Sequence, residues 1–308
     1  MTGISYTPNG ADVHPRGAWA ANTAYAVNDQ VTEAGAVWNC TTAHTSGATF
    51  TGTDWELVGG TASLTQTITT SQNVTAPVWA TIANVTLIGG GGGGGGGGSS
   101  TTASKQSGGA GAAAGTVLKT TVSVVGLSVL TVTIGAAGTG GIGGSAGSGG
   151  ASGTTGGSTS LSGSGVNLSV AGGMNGSGGP ANNTGSVEAG VYAYPYTDSG
   201  TAFPTPGSGS QGFGFGAVPL PEGPCGGSYG GNGNATNGSL PAPPITEYGQ
   251  YLPDGGNNNS TTANGGNAAN ATLAGCGGIG GGASGNNGTG GNGGNGAPGV
   301  CIIEWRSQ

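Results

Sequence analysis

Apolar and polar residues alternate over several short stretches of this chain, and each stretch predicts a β-strand. The best is "TVLKTTVSVVGLSVLTVTI" (116–134), where Leu130, Val132 and Ile134 alternate with Thr131 and Thr133 to give one buried face. A Thr/Val-rich lead-in (61–88) reads as two strands split near Pro77, the second ending on Val85, Leu87 and Ile88. "VNLSVAGG" (166–173) and the closing "GVCIIEW" (299–305) read the same way. Residues 15–60 form a denser pattern, with short strands around Tyr25 and at "DQVTEA", "AVWNC" and "DWELV", and a hairpin turn at "EAGA". This stretch is small for a domain, so Trp19, Trp38 and Trp55 must supply much of its core.

Between these strands the chain is dominated by glycine, 76 of 308 residues. Ten follow Ile88 without a break, Gly89 to Gly98. Others keep strict spacing: Gly135, Gly138, Gly141, Gly144, Gly147, Gly150, Gly153 and Gly156 fall at every third position, as do Gly282, Gly285, Gly288, Gly291 and Gly294. Period three is that of the polyproline-II helix, which has no internal hydrogen bonds. Its N–H and C=O groups still need partners. Glycine at every third position lets backbones approach closely enough to supply them to each other. Collagen has the same period but depends on proline, and 135–156 contains none. The expected structure is a bundle of polyglycine-II helices bonded sideways, with 89–98 as a central rod. A flexible Gly/Ser/Asn linker would explain the composition, but not the spacing or the return to strand at "GVCIIEW". The predicted fold class is therefore mainly β and polyglycine-II, with almost no α-helix, since Gly, Thr, Ser and Asn all disfavour helix interiors. The expected organisation is an arm at 1–14, a β module at 15–60, strand segments including the glycine run at 61–134, and the glycine-rich bundle at 135–308.

Two inserts interrupt the glycine tracts at 191–225 and 240–256. They hold Tyr192, Tyr194, Tyr196, Phe203, Phe213, Phe215, Tyr248 and Tyr251. A glycine bundle offers no pocket for so many rings. Either they form a contact surface on a rigid scaffold, or they cap the bundle ends or pack between subunits. Cys225 and Cys276 both lie among glycines, and a disulfide and free thiols both stay open.

Composition excludes several functions. Formal charge is −7, and the four basic residues, Arg16, Lys105, Lys119 and Arg306, are scattered, so the positive footprint for nucleic acid is missing. No stretch reaches the length of a membrane span, and the opening "MTGISYTPNGADVHP" lacks the pattern of a signal peptide. His14 and His44 suggest neither a catalytic triad nor a metal pair. The carboxylates offer no arguable pair for glycoside hydrolysis. No enzyme activity, metal or cofactor is expected.

Residues 17–58, through Trp19, Tyr25, the "NDQV" turn with Asp29 and Val31, Trp38 and Trp55, resemble the small carbohydrate-binding modules of families 5 and 12. This resemblance implies binding of chitin or related polysaccharides. "TTAHTSG" stands where chitin binders carry exposed aromatics. Residues 73–308, through "ANVTLIGGGGGGGG", "VLTVTIGAAGTGG" and "GAPGVCIIEW", resemble glycine-rich bacteriophage tail proteins and the tail-tip adhesins of T-even-like phages. That resemblance implies a virion tail or fibre protein made in the host cytoplasm, with a host-surface glycan or receptor and other tail proteins as partners. The resemblance also implies a homotrimer, the usual symmetry of phage fibres. Trp19, Tyr25, Trp38 and Trp55, with the eight insert rings, are the candidate ligand contacts; for each module ring, a core role competes with a ligand role.

Overall fold

The computed structural model describes residues 13–101, 108–181, 196–197, 264–285 and 287–307. Among these there is no helix, as the composition predicts. The strands, in chain order, are β1 (His14–Ala18), β2 (Ala24–Tyr25), β3 (Asp29–Glu33), β4 (Ala36–Cys40), β5 (His44–Thr45), β6 (Trp55–Gly60), β7 (Ser63–Ile68), β8 (Gln72–Thr75), β9 (Ile82–Ile88), β10 (Val117–Ser123), β11 (Val129–Thr133), β12 (Thr159–Gly163), β13 (Val166–Val170), β14 (Tyr196–Thr197) and β15 (Val300–Arg306).

The first module is a sheet of order β1-β3-β4-β6 with a small β2-β5 ribbon beside it. The β3–β4 hairpin turns where the sequence places it, at Ala34 (φ 52) and Gly35 (φ 82). Positive φ at both central positions is the two-residue hairpin turn whose twist matches its strands.

The strands beyond residue 60 form two facing sheets, of order β14-β10-β9-β15-β7 and β13-β12-β11-β8. Val85, Leu87, Cys301, Ile303 and Trp305 from one sheet pack on Leu130, Val132, Leu161 and Val170 from the other. Leu130 and Val132 are fully buried as the alternation predicts, and Ile134 packs at the margin. The long strand signal at 116–134 is two strands, because Val124 to Ser128 turns the chain at Gly126, where a side chain would strike the Val78 carbonyl. The lead-in is three strands rather than two, and β12 was not foreseen: "TSLSG" shows one apolar residue, Leu161.

Strands β9, β11 and β13 each run on into an extended glycine-rich rod, and β10, β12 and β15 each receive one. In chain order the rods are rod 1 (89–100), rod 2 (108–116), rod 3 (135–144), rod 4 (148–157), rod 5 (171–181), rod 6 (264–271), rod 7 (275–285) and rod 8 (288–299). Rod 1 is the axis. Its N–H groups donate in strict rotation: Gly90, Gly93 and Gly96 to rod 4, Gly91, Gly94 and Gly97 to rod 8, Gly92 and Gly95 to rod 2, all at 2.8–3.0 Å. Its carbonyls accept in the same rotation from rod 5 (Gly173, Gly176, Gly179), rod 3 (Gly138, Gly141, Gly144) and rod 7 (Gly278, Gly281, Ser284). Three residues per turn thus send successive groups in three directions, the polyglycine-II arrangement. The six outer rods bond to one another in the closed order 2-7-8-3-4-5. Rods 3, 5 and 7 run parallel to rod 1 and the others antiparallel, so direction alternates around the ring. Rod 6 lies outside it, bonded to rods 7 and 8.

This explains the glycine spacing. Every position of residues 89–98 is buried, and a Cβ at any of them would meet neighbouring backbone. In rod 3 only Ala136, Thr139 and Ile142 point outward, and the positions between them that face rods 1 and 8 are glycine or small. The expected break between residues 134 and 135 is therefore no boundary in space: strands and rods from both sides of it interleave. Thr159 ties the layers together. Its buried hydroxyl donates to the Ile88 carbonyl at 2.7 Å and accepts from the Gly135 N–H at 3.0 Å.

Two outcomes follow from this packing. Gly94→Ala puts a methyl group against the Ile279 carbonyl, and overpacking of this kind should cost about 3 kcal/mol or more. Gly47→Ala meets nothing within 4 Å and should leave the thermal midpoint unchanged; melts of the two variants test this. Burial pushes the Cys301 thiol up to about 12 from an ordinary 9.0. The folded state favours its neutral form, so that contribution is intact below pH 9 and fades as pH climbs toward 12. At pH 8, mass mapping after treatment with a thiol reagent should find Cys301 unlabelled in native protein and labelled after denaturation.

Candidate glycan-binding surfaces

The module is organised by a buried carboxylate and a stack of rings. Asp29 is 2 % exposed. It accepts from Arg16 at 2.7 Å and from the Ala26 N–H at 2.9 Å, and lies 3.5 Å from His14. This pins the exposed strand β1 to β3, which it joins in parallel. The Arg16 guanidinium sits over the Tyr25 ring, 5.6 Å from its centre. Tyr25 packs edge-on against Trp55 at 5.0 Å, and Phe50 packs on Trp38 at 5.0 Å and Trp55 at 5.7 Å. The hydroxyl of Tyr25 accepts from the Ala20 N–H, and the Trp38 indole N–H donates to the Glu33 carbonyl.

Of the four candidate rings here, three are core. Tyr25, Trp38 and Trp55 are 5 %, 2 % and 8 % exposed, so their faces are covered by protein. The physical reason is size: a sheet this small has few other residues with which to fill its interior. Trp19 differs. It is half-buried, meets Phe50 edge-on at 5.8 Å, and its buried indole N–H has no partner among the described residues. Phe50, which the sequence reading did not single out, joins the two halves of the cluster. His44 stands edge-on to Trp55 at 5.4 Å, and its Nδ1 lies 2.7 Å from the Thr42 carbonyl. Burial raises the Cys40 thiol, with Asp29 and Asp54 adding to the rise against the opposing Thr42 hydrogen bond, so Cys40 is held as a neutral core residue.

The module is fastened to the sandwich. Ala62 and Ser307 exchange hydrogen bonds at 2.8 and 3.0 Å, Ser63 donates to the Ala34 carbonyl, and Trp79 packs against both cores.

The insert candidates Tyr192, Tyr194, Phe203, Phe213, Phe215, Tyr248 and Tyr251 lie outside the described residues, as does Cys225; Cys276 is buried in rod 7. Tyr196 belongs to β14, which pairs in parallel with β10 at the sheet edge. Apart from β14, the described chain stops at Ala181 and resumes at Asn264. Rod 5 runs away from the sandwich to reach Ala181, and Asn264 lies beside Thr289 where rod 8 begins. Both points are at the end of the bundle far from the sandwich.

A second surface, absent from the sequence reading, lies along rods 6, 8 and 3. The Oδ1 atoms of Asn264, Asn267 and Asn270 accept from the N–H groups of Thr289, Asn292 and Asn295 at 2.8–3.0 Å. Asn292 and Asn295 in turn accept from Gly143 and Gly140 at 2.9 and 2.8 Å. Each carboxamide caps an N–H that points out of the lattice. The signal was present as Asn at every third position, but asparagine is common in these tracts.

Comparison with known proteins agrees with this division. A family model described as a glycine-rich domain matches residues 65–306, and one described as carbohydrate-binding module family 5/12 matches residues 18–57. No curated protein matches the chain.

Trp38→Ala should destabilise the module by about 3–5 kcal/mol. The expected readout is a lower first melting transition with loss of the near-ultraviolet aromatic dichroism.

Proposed function

We propose that this chain, which belongs to the glycine-rich domain family, is a bacteriophage tail or fibre protein that fastens the particle to a glycan on the host surface. The carbohydrate-binding module at residues 18–57 indicates sugar as the ligand class. The observation that carries the reading is the scaffold: a rod lattice, locked to that module, whose rods 5 and 6 end at Ala181 and Asn264 on the side far from the sandwich. Binding groups carried on a rigid support lose little further freedom on binding, and the insert aromatics fall between those two points in the sequence. Trp19 is the module ring best placed for a sugar, because the other three are covered.

A second reading makes the chain a structural tail component. One feature favours it. At the sandwich end Val125, Leu127 and Val129 are 74 %, 55 % and 51 % exposed, and Leu127 has φ 63, unusual for a bulky residue. An apolar turn there would suit contact with another tail protein or with further copies of the chain, including the expected trimer.

The two separate in one assay. Labelled full-length protein is mixed with a panel of bacterial cells, with purified envelope polysaccharides as competitors. Saturable binding displaced by one polysaccharide is the expected result. Folded protein that binds no cell at high concentration, yet forms defined oligomers in sedimentation, would establish the structural reading instead.

A further inference from the structure

The asparagine ladder does more than close the lattice. A backbone N–H can only donate, so the oxygen of each carboxamide must face it and the Nδ2 amide must face away. Asn264, Asn267, Asn270, Asn292 and Asn295 are all exposed, and no hydrogen bond from their Nδ2 atoms is formed among the described residues. The surface therefore carries two columns of amide donors whose direction is fixed before any ligand arrives. Along a rod the repeat is about 9 Å, and Asn264 to Asn270 covers about 19 Å at 3.1 Å per residue. Ile142, next to Gly143, is 72 % exposed at the margin of the array.

We propose that this face binds a neutral, linear polysaccharide laid along rods 6 and 8. Fixed donors at regular spacing call for a ligand with acceptors at regular spacing, which the hydroxyl, ring and acetamido oxygens of a glycan chain provide. A sugar's C–H face would rest on Ile142. A polyanion is disfavoured because no Lys or Arg occurs between residues 264 and 299 and the chain is net −7. An extended peptide is disfavoured as well. It would bring N–H groups that need acceptors, and the Oδ1 of every ladder asparagine already accepts a backbone bond. Donors oriented in advance also spare the ligand the loss of side-chain freedom that usually weakens such contacts. The site is separate from the module and does not depend on a virion role.

The test uses full-length protein and titration calorimetry with cellohexaose, maltohexaose and hexa-N-acetylchitohexaose. In the double variant Asn267→Asp with Asn292→Asp, the carboxylates still accept from the Asn292 and Gly143 N–H groups, but the donors are gone. At least one hexasaccharide should bind the native protein. The double variant should lose at least tenfold in affinity with an unchanged melting temperature, or fall from two bound hexasaccharides to one if the module binds as well. Asn167→Asp, on an exposed position of β13, controls for added charge and should bind as the native protein does. Native affinity in the double variant, an equal loss in Asn167→Asp, or binding of a Ser/Gly heptapeptide but no hexasaccharide would overturn the proposal, as would no binding at all. Because no cells are involved, failure here and failure of the host-attachment reading are seen separately.

Discussion

The sideways hydrogen bond between glycine backbones is the interaction on which this molecule depends. An extended chain with three residues per turn cannot satisfy its own N–H and C=O groups, and burying them unpaired would cost about 1–3 kcal/mol each. From Gly90 to Gly97 every N–H donates to an outer rod and every C=O accepts from one. The distance such a bond requires leaves no space for a Cβ, which is why the axis is uninterrupted glycine. The entropic disadvantage of that composition is met by pairing the whole backbone.

The sandwich and the lattice are two continuations of the same chains. Strands bury side chains between sheets, while rods bury backbone between rods. The changeover occurs at one level, where β9 passes into rod 1 at Ile88, rod 4 passes into β12 at Thr159, and β11 passes into rod 3 at Gly135. One threonine hydroxyl bridges those three segments. The sandwich fixes the lateral order of the strands, and the rods inherit it. An apolar core of modest size thereby organises a bundle that has almost no apolar core of its own.

The period of three was legible in the sequence, and so was the role of residues 89–98, because the geometry allows few other uses for glycine at that spacing. The ring order was not legible. It is set by strand pairings between distant segments, such as Ile88 with Val300 and Val117, and glycine tracts do not encode partner choice. Short polar strands escaped for a related reason: Thr159–Gly163 buries Thr159 and Leu161, too little alternation to read. In the module the rings could be found but not sorted. Trp19 and Trp38 look alike in sequence, and only Trp38 is buried, with Phe50 packed on its ring. The asparagine ladder was hidden by its surroundings, since Asn at 264, 267 and 270 gains meaning only when rod 8 is known to lie alongside.

The rotation of hydrogen bonds around rod 1 constrains how such a chain can change length. Adding one residue within a rod turns everything beyond it by a third of a revolution. Outward side chains would then point into the lattice, and inward glycines would face solvent. Adding three residues restores the pattern one layer further along. The rods thus behave as though written in triplets, with single-residue insertions acting as frameshifts and threefold insertions as silent extensions, while the turn at 145–147 that joins rods 3 and 4 lies outside that frame.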